Sequence, residues 1–84
     1  MVDNVARAFG DFVKAHRLDR GLTQQELSDI AGTTKTHVCR LENGQREPSL
    51  GLALRLCEAL GADINEFAYP AAQIILEEAE DPTL

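Results

Sequence analysis

The sequence predicts an all-α protein: a compact bundle of five helices containing a helix-turn-helix, followed by a C-terminal helical extension. Three observations carry this. No stretch of the 84 residues alternates polar and apolar side chains as a half-buried strand does, whereas apolar residues recur at helical spacing. Punctuation falls at the ends of those stretches, with Thr23, Thr34 and Ser49 where helices would begin and Gly21, Gly32, Gly44 and Gly61 where they would stop. Two short helices, the second and third, are separated by only a few residues around Gly32, a connection that holds them at a steep angle.

The elements follow in order. In AFGDFVKAHRLDRG, Phe9, Phe12, Val13 and His16 take the i, i+3, i+4, i+7 positions of one helical face, with Gly21 at its end. LTQQELSDIAG opens with a capping box, in which Thr23 caps the amide of Glu26 and Glu26 reaches back. Leu22 and Leu27 are placed to staple the same turn. Thr34 caps a third helix running to about Asn43, and Gly44 supplies the left-handed residue after it. Ser49, after Pro48, caps LGLALRLCEAL, with Leu50, Leu54, Cys57 and Leu60 as its expected apolar stripe. A short turn over Asp63–Phe67 and a last helix beginning at Pro70 complete the expectation.

Composition bounds what such a bundle can do. The chain carries 8 Lys and Arg against 14 Asp and Glu, a net charge of −6. Residues 1–55 hold all 8 cations against 7 carboxylates, a balance of +1, whereas residues 56–84 hold 7 carboxylates and no cation, a balance of −7. A nearly neutral body therefore carries an acidic tail, which argues against strong unspecific attraction to polyanions but leaves room for a local cationic face. No apolar run approaches the ~18 residues of a membrane span, and MVDNVARAF lacks a signal-peptide pattern, so a cytoplasmic protein is expected. The two cysteines, Cys39 and Cys57, fit that reducing compartment. With His16 and His37 they form no i, i+4 pair and no CxxC, so neither metal nor other cofactor is expected. His16 and Cys57 read as core filling. Nothing resembles a catalytic constellation, so the chain does not read as an enzyme.

The third helix is where the charge pattern becomes specific. On a helical wheel, Val38 and Leu41 share the side of Thr34 and face the core, while Lys35, Thr36, Cys39, Arg40 and Asn43 gather opposite. That outward face holds hydrogen-bond donors and positive charge without a carboxylate, the chemistry that suits phosphates and base edges.

These residues resemble the lambda-repressor-like, Cro-type helix-turn-helix family of regulators. The resemblance runs from about Phe9 to Phe67. RLDRGLTQQELS is similar to that family's junction between first and second helices, and GTTKTHVCRLENGQREPSL to its turn, recognition helix and following loop. Gln24 opens the second helix, Leu27 is its buried leucine, Gly32 the turn glycine, and Val38 and Leu41 the buried pair of the third. Ser28, where the family favours alanine, and His16, at a usually aliphatic position, depart from the pattern; a buried serine bonds back to the preceding turn.

The resemblance implies roles. Thr34, Lys35, Thr36 and Arg40 would contact bases in double-stranded DNA. Gln24, Asn43, Gly44, Gln45 and Arg46 would hold the phosphate backbone, and Arg17 and Glu42 would form a structural ion pair between the first and third helices. It implies a sequence-specific transcriptional repressor acting as a homodimer on a palindromic operator. The rival readings are an antitoxin or other protein-interaction module, whose acidic tail would engage a protein partner, and a restriction–modification controller. Residues 1–68 are then the DNA-binding domain and residues 69–84 an added helix and acidic tail. In that tail Ala72, Ile75, Leu76 and Ala79 form an apolar stripe that either folds back over Phe9 or Phe12 or, as preferred here, packs on its copy as a dimerisation element.

Overall fold

A computed structural model describes residues 4–79, with side chains through Glu77. Its five helices are α1 (Asn4–Asp19), α2 (Gln24–Ala31), α3 (Lys35–Glu42), α4 (Leu50–Leu60) and α5 (Ile64–Ala79), and no strand occurs among the described residues. Thr23, Thr34 and Ser49 cap α2, α3 and α4 through side-chain oxygens that accept from the backbone N–H three residues on. The capping box of α2 is complete, since the Thr23 N–H also donates to Glu26 Oε1 at 2.9 Å.

The core is a single cluster to which every helix contributes. Phe9 and Val13 of α1, Leu27 and Ala31 of α2, Val38 and Leu41 of α3, and Leu52, Leu56 and Leu60 of α4 are all buried, and Phe67 of α5 packs against them. Ser28 is fully buried among them because its hydroxyl donates to the Gln25 carbonyl at 2.7 Å. Where α1 crosses the end of α3 it does so at Gly10, where a methyl group would collide with the Leu41 carbonyl oxygen. The turn between α2 and α3 pivots on Gly32, at φ 71°, and closes with Thr33 donating its N–H to the Ser28 carbonyl at 2.9 Å.

Three expectations are corrected. The face of α4 toward the core is Leu52, Ala53, Leu56, Cys57 and Leu60, and Leu50 and Leu54 are 77% and 48% exposed. An apolar helix offers two overlapping stripes, and the sequence pattern alone does not choose between them. In the structure Arg55 donates from Nε to the Ala31 carbonyl at 3.0 Å, which fixes the rotation of α4 against the end of α2. His16 is half-exposed rather than core filling. Its ring lies on Phe12, with centroids 4.5 Å apart, and its Nε2 is 3.5 Å from Glu66 Oε2 at the start of α5.

The third correction concerns the tail. Residues 64–67, expected in a turn, are the first turn of α5, started by Asp63, whose side chain accepts from the Asn65 N–H at 2.9 Å. The helix then runs through Pro70 instead of starting there. Proline inside a helix removes one backbone hydrogen bond and crowds the carbonyl four residues back. Burial on both sides of it offsets that cost: Phe67 meets the rings of Phe9 and Phe12 at 4.9 and 5.8 Å, and Ala71 is buried one turn later, while Pro70 itself is exposed. The fifth helix and the extension are thus one element, and the position between residues 68 and 69 lies within it. This rod lengthens the molecule to 44 × 24 × 21 Å and gives a radius of gyration of 13.3 Å, against about 12 Å for a compact chain of this size.

Candidate nucleic-acid interface

The exposed side of α3 is built by its two buried anchors. Val38 and Leu41 are held in the core, so Lys35, Thr36 and Arg40 are turned to solvent. No side chain of these three makes a hydrogen bond or ion pair with another described residue, so their side-chain donors are uncommitted. The Thr34 hydroxyl accepts from the His37 N–H at 3.1 Å, which leaves its own proton free to donate outward. His37 in turn lies 3.2 Å by Nδ1 from Thr33 Oγ1 and braces the turn. Cys39, half-buried, receives a 3.7 Å hydrogen bond from Asn43 Nδ2.

The loop after α3 has a Schellman ending. The Gly44 N–H donates to the Leu41 carbonyl at 3.0 Å and the Gln45 N–H to the Arg40 carbonyl at 2.9 Å, with Gly44 at φ 72°. The Gly44 amide, assigned to the DNA backbone in the sequence reading, is therefore spent on the helix end, and Gly44 is buried. It shapes the loop and leaves the Asn43, Gln45 and Arg46 side chains exposed beside α3.

Beneath this face lies an ion pair that joins three helices. Arg17 of α1 donates from Nε to Glu42 Oε2 at 2.7 Å and from Nη2 to Glu42 Oε1 at 3.1 Å, a bidentate geometry. Its remaining nitrogen, Nη1, donates to the Leu22 carbonyl at 2.8 Å. The two side chains are only 10% and 2% exposed. The hydrogen bond and charge of Glu42 hold the Arg17 guanidinium above its ordinary pKa against the opposing effect of burial. Glu42 also accepts from Gln24 Nε2 at 3.0 Å, a partnership the sequence reading did not anticipate. No local pattern signals it, because the contact depends on how the start of α2 packs beside α1 and α3.

Gln24 also lines an open cleft with Arg17, Thr23, Gln25 and Lys35, between the end of α1 and the starts of α2 and α3. The amides of Gln24 and Gln25, the first two of α2, have no acceptor within the helix. Lysine charge and unpaired helix amides on one concave surface suit an anion. Glu26, in the first turn of α2, is held below its ordinary pKa because its carboxylate accepts from the Thr23 backbone N–H and from the Thr23 side chain.

Away from α3, Ala72, Ile75 and Leu76 are exposed on α5, the two larger ones at 54% and 53%. Ala79 belongs to the same helix, but its side chain lies outside the described residues. The residues that dock α5 on α1 are Phe67 and Ala71, on a different face. Among the described residues no three His, Cys, Asp or Glu side chains group as a metal site, and no helix is long and apolar enough to cross a membrane.

A family profile described as Helix-turn-helix matches residues 13–67. An uncharacterized HTH-type transcriptional regulator of Methanothermobacter thermautotrophicus is 43% identical over 51 residues, which span 61% of this chain and 74% of that one. Among solved structures, the clp gene regulator ClgR from Corynebacterium glutamicum superposes with a TM-score of 0.77 at 28% identity, covering 94% of this chain and 84% of its own. The restriction–modification controller protein C.AhdI from Aeromonas hydrophila gives 0.70 at 32% identity, over 74% and 94%.

Proposed function

Since the chain belongs to the lambda-repressor-like helix-turn-helix family, as a DNA-binding transcriptional regulator and not an enzyme, we propose that it represses transcription in the cytoplasm by occupying a palindromic operator as a homodimer. The observation that carries this reading is the exposed, uncommitted set Lys35, Thr36 and Arg40 on a helix whose other side is locked in the core. In the major groove, Lys35 and Arg40 suit the O6 and N7 acceptors of guanine, and the Thr36 methyl suits thymine. Thr34 reaches a base or phosphate at the helix start. Gln24, Asn43, Gln45 and Arg46 hold the backbone on either side, with Gly44 shaping the loop that presents them.

A single headgroup of this size binds weakly, and a dimer links two of them. Ala72, Ile75, Leu76 and Ala79 supply the self-association surface in this reading, residues 69–84 serving as the dimerisation element of the domain formed by residues 1–68. Half-sites then lie about 34–36 Å apart, and this reading requires the acidic groups from Glu58 onward to be kept away from the phosphates, which would repel them. A second reading, in which the chain controls a restriction–modification system, rests on its likeness to C.AhdI.

Selection of bound duplexes from a random DNA pool tests the whole. The expected product is a palindrome of two half-sites. Lys35→Ala and Arg40→Ala each weaken binding to it by ~1–3 kcal/mol and relax one base position, whereas Arg46→Ala weakens binding to every sequence and lowers the salt slope by about one. Ile75→Glu with Leu76→Glu yields a monomer by sedimentation. An enriched site whose affinity ignores both recognition-helix substitutions would refute the assignment.

A further inference from the structure

We propose that Glu42 is a positioning residue for DNA binding: it holds the Gln24 amide, before DNA arrives, with one N–H anchored inward and the other left for a phosphate. This deepens the regulator reading and rests on it. The geometry begins with the carboxylate. An ionised Glu42 only accepts hydrogen bonds, so the group that Gln24 turns toward it, 3.0 Å from Oε1, has to be the NH2 end of the amide. The same Oε1 accepts from Arg17 Nη2 at 3.1 Å and Oε2 accepts from Arg17 Nε at 2.7 Å, so the carboxylate cannot rotate away.

A primary amide carries two N–H bonds that diverge from the trigonal nitrogen. Glu42 takes one. The second has no acceptor among the described residues and belongs to a half-buried side chain lining the cleft that Thr23, Gln25 and Lys35 share. Arg17 completes the arrangement by cancelling the charge of Glu42, which would otherwise repel the phosphate that Gln24 is placed to meet. A glutamine side chain free to sample its rotamers loses that freedom on binding. Fixing it in advance removes a cost worth up to about tenfold in Kd.

The role differs from that of a plain structural tie, because its effect on DNA must pass through Gln24. The test has two arms. Equilibrium binding to the duplex recovered by selection is measured across a salt series for the full chain and for Gln24→Ala, Glu42→Gln and the double variant, each at a temperature where its melting curve shows it folded. Glu42→Gln is isosteric but offers Arg17 and Gln24 a single acceptor oxygen between them. Gln24→Ala is expected to weaken binding about tenfold or more and, because a neutral amide displaces no counterion, to leave the salt slope unchanged. Glu42→Gln is expected to weaken it several-fold, and the double variant to bind no worse than Gln24→Ala alone. Losses that multiply instead would show Glu42 acting independently of Gln24 and overturn the proposal.

The second arm needs no DNA. Nitrogen-15 spectra of the free protein should show the Gln24 side-chain NH2 at two dispersed, slowly exchanging resonances that move to solvent-averaged positions in Glu42→Gln. Averaged resonances in the unsubstituted protein would overturn the anchoring. Failure of that protein to bind any duplex would overturn the regulator reading and this role with it, while the amide spectra report separately on whether the anchor exists.

Discussion

Replacing Arg17 with methionine should cost this protein far more than the loss of a surface charge. Exposed ion pairs contribute ~0–1 kcal/mol, because water solvates either partner once the other is gone. Glu42 has no such recourse: its side chain is 2% exposed, and Arg17 supplies two of the three hydrogen bonds it receives. Without the guanidinium the carboxylate keeps Gln24 alone and is left without its counter-charge in a desolvated place. The Leu22 carbonyl loses its donor at the same time. Removing one member of a buried pair typically costs 3–5 kcal/mol. A chain of 84 residues has a total stability of about 4–13 kcal/mol, so Arg17→Met should consume roughly a quarter of it or more. At ~4–8 °C of melting temperature per kcal/mol, the midpoint should fall by at least ~12 °C.

Replacing both partners is the informative control. Arg17→Met with Glu42→Leu leaves no buried charge, and buried pairs exchanged for apolar residues of similar volume are often neutral or stabilising. The double variant should therefore recover most of the loss, a coupling of ~2–3 kcal/mol in a double-mutant cycle read by denaturant unfolding. Singles that each lose under ~1 kcal/mol, with a double variant equal to their sum, would refute the reasoning and return Arg17 and Glu42 to the standing of solvated charges.

Gly10→Ala inserts a methyl group into the backbone of α3 at the Leu41 carbonyl, so the two helices must separate; an overpacking loss of ~1–3 kcal/mol is expected from denaturant unfolding. The cysteines should react unequally with a thiol reagent at neutral pH, since Cys39 is half-buried on α3 whereas Cys57 is buried and its thiol is pushed up by desolvation and Asp63. One thiol should label in the native state and the second on unfolding, and a bound duplex should shield the first. Glu26 has its folded pKa lowered by the Thr23 cap, so its contribution is present above the ordinary carboxylate range and is lost as pH falls through the lowered value. Glu26→Gln should therefore melt earlier than the parent at neutral pH, and the two should converge as pH falls through the lowered value.

How far the sequence discloses the molecule depends on whether a feature is local. Thr23, Thr34, Ser49 and Gly44 act on backbone groups within a few residues, and their pattern located α2, α3 and α4 because capping chemistry is written in consecutive positions. Val38 and Leu41 were legible for the same reason: in a short polar helix the two apolar residues that share a face have one place to go. The sequence failed where a helix had a choice. LGLALRLCEAL carries apolar residues on more than one side, and its rotation was settled by Arg55 reaching Ala31, 24 residues away. Pro70 is a stop signal to any local rule, yet the Phe9, Phe12 and Phe67 rings and buried Ala71 hold α5 straight through it. The third partner of Glu42 is of the same kind. Arg17 and Glu42 suggest each other by charge, but nothing in the sequence says that an uncharged Gln24 will compete for the same oxygen. Long-range packing chose among local options there, and it did so beside the face proposed to meet DNA. Substitutions at Arg17, Gln24 and Glu42 should accordingly change affinity and stability together, whereas those at Lys35, Thr36 and Arg40, exposed and uncommitted, should change affinity alone.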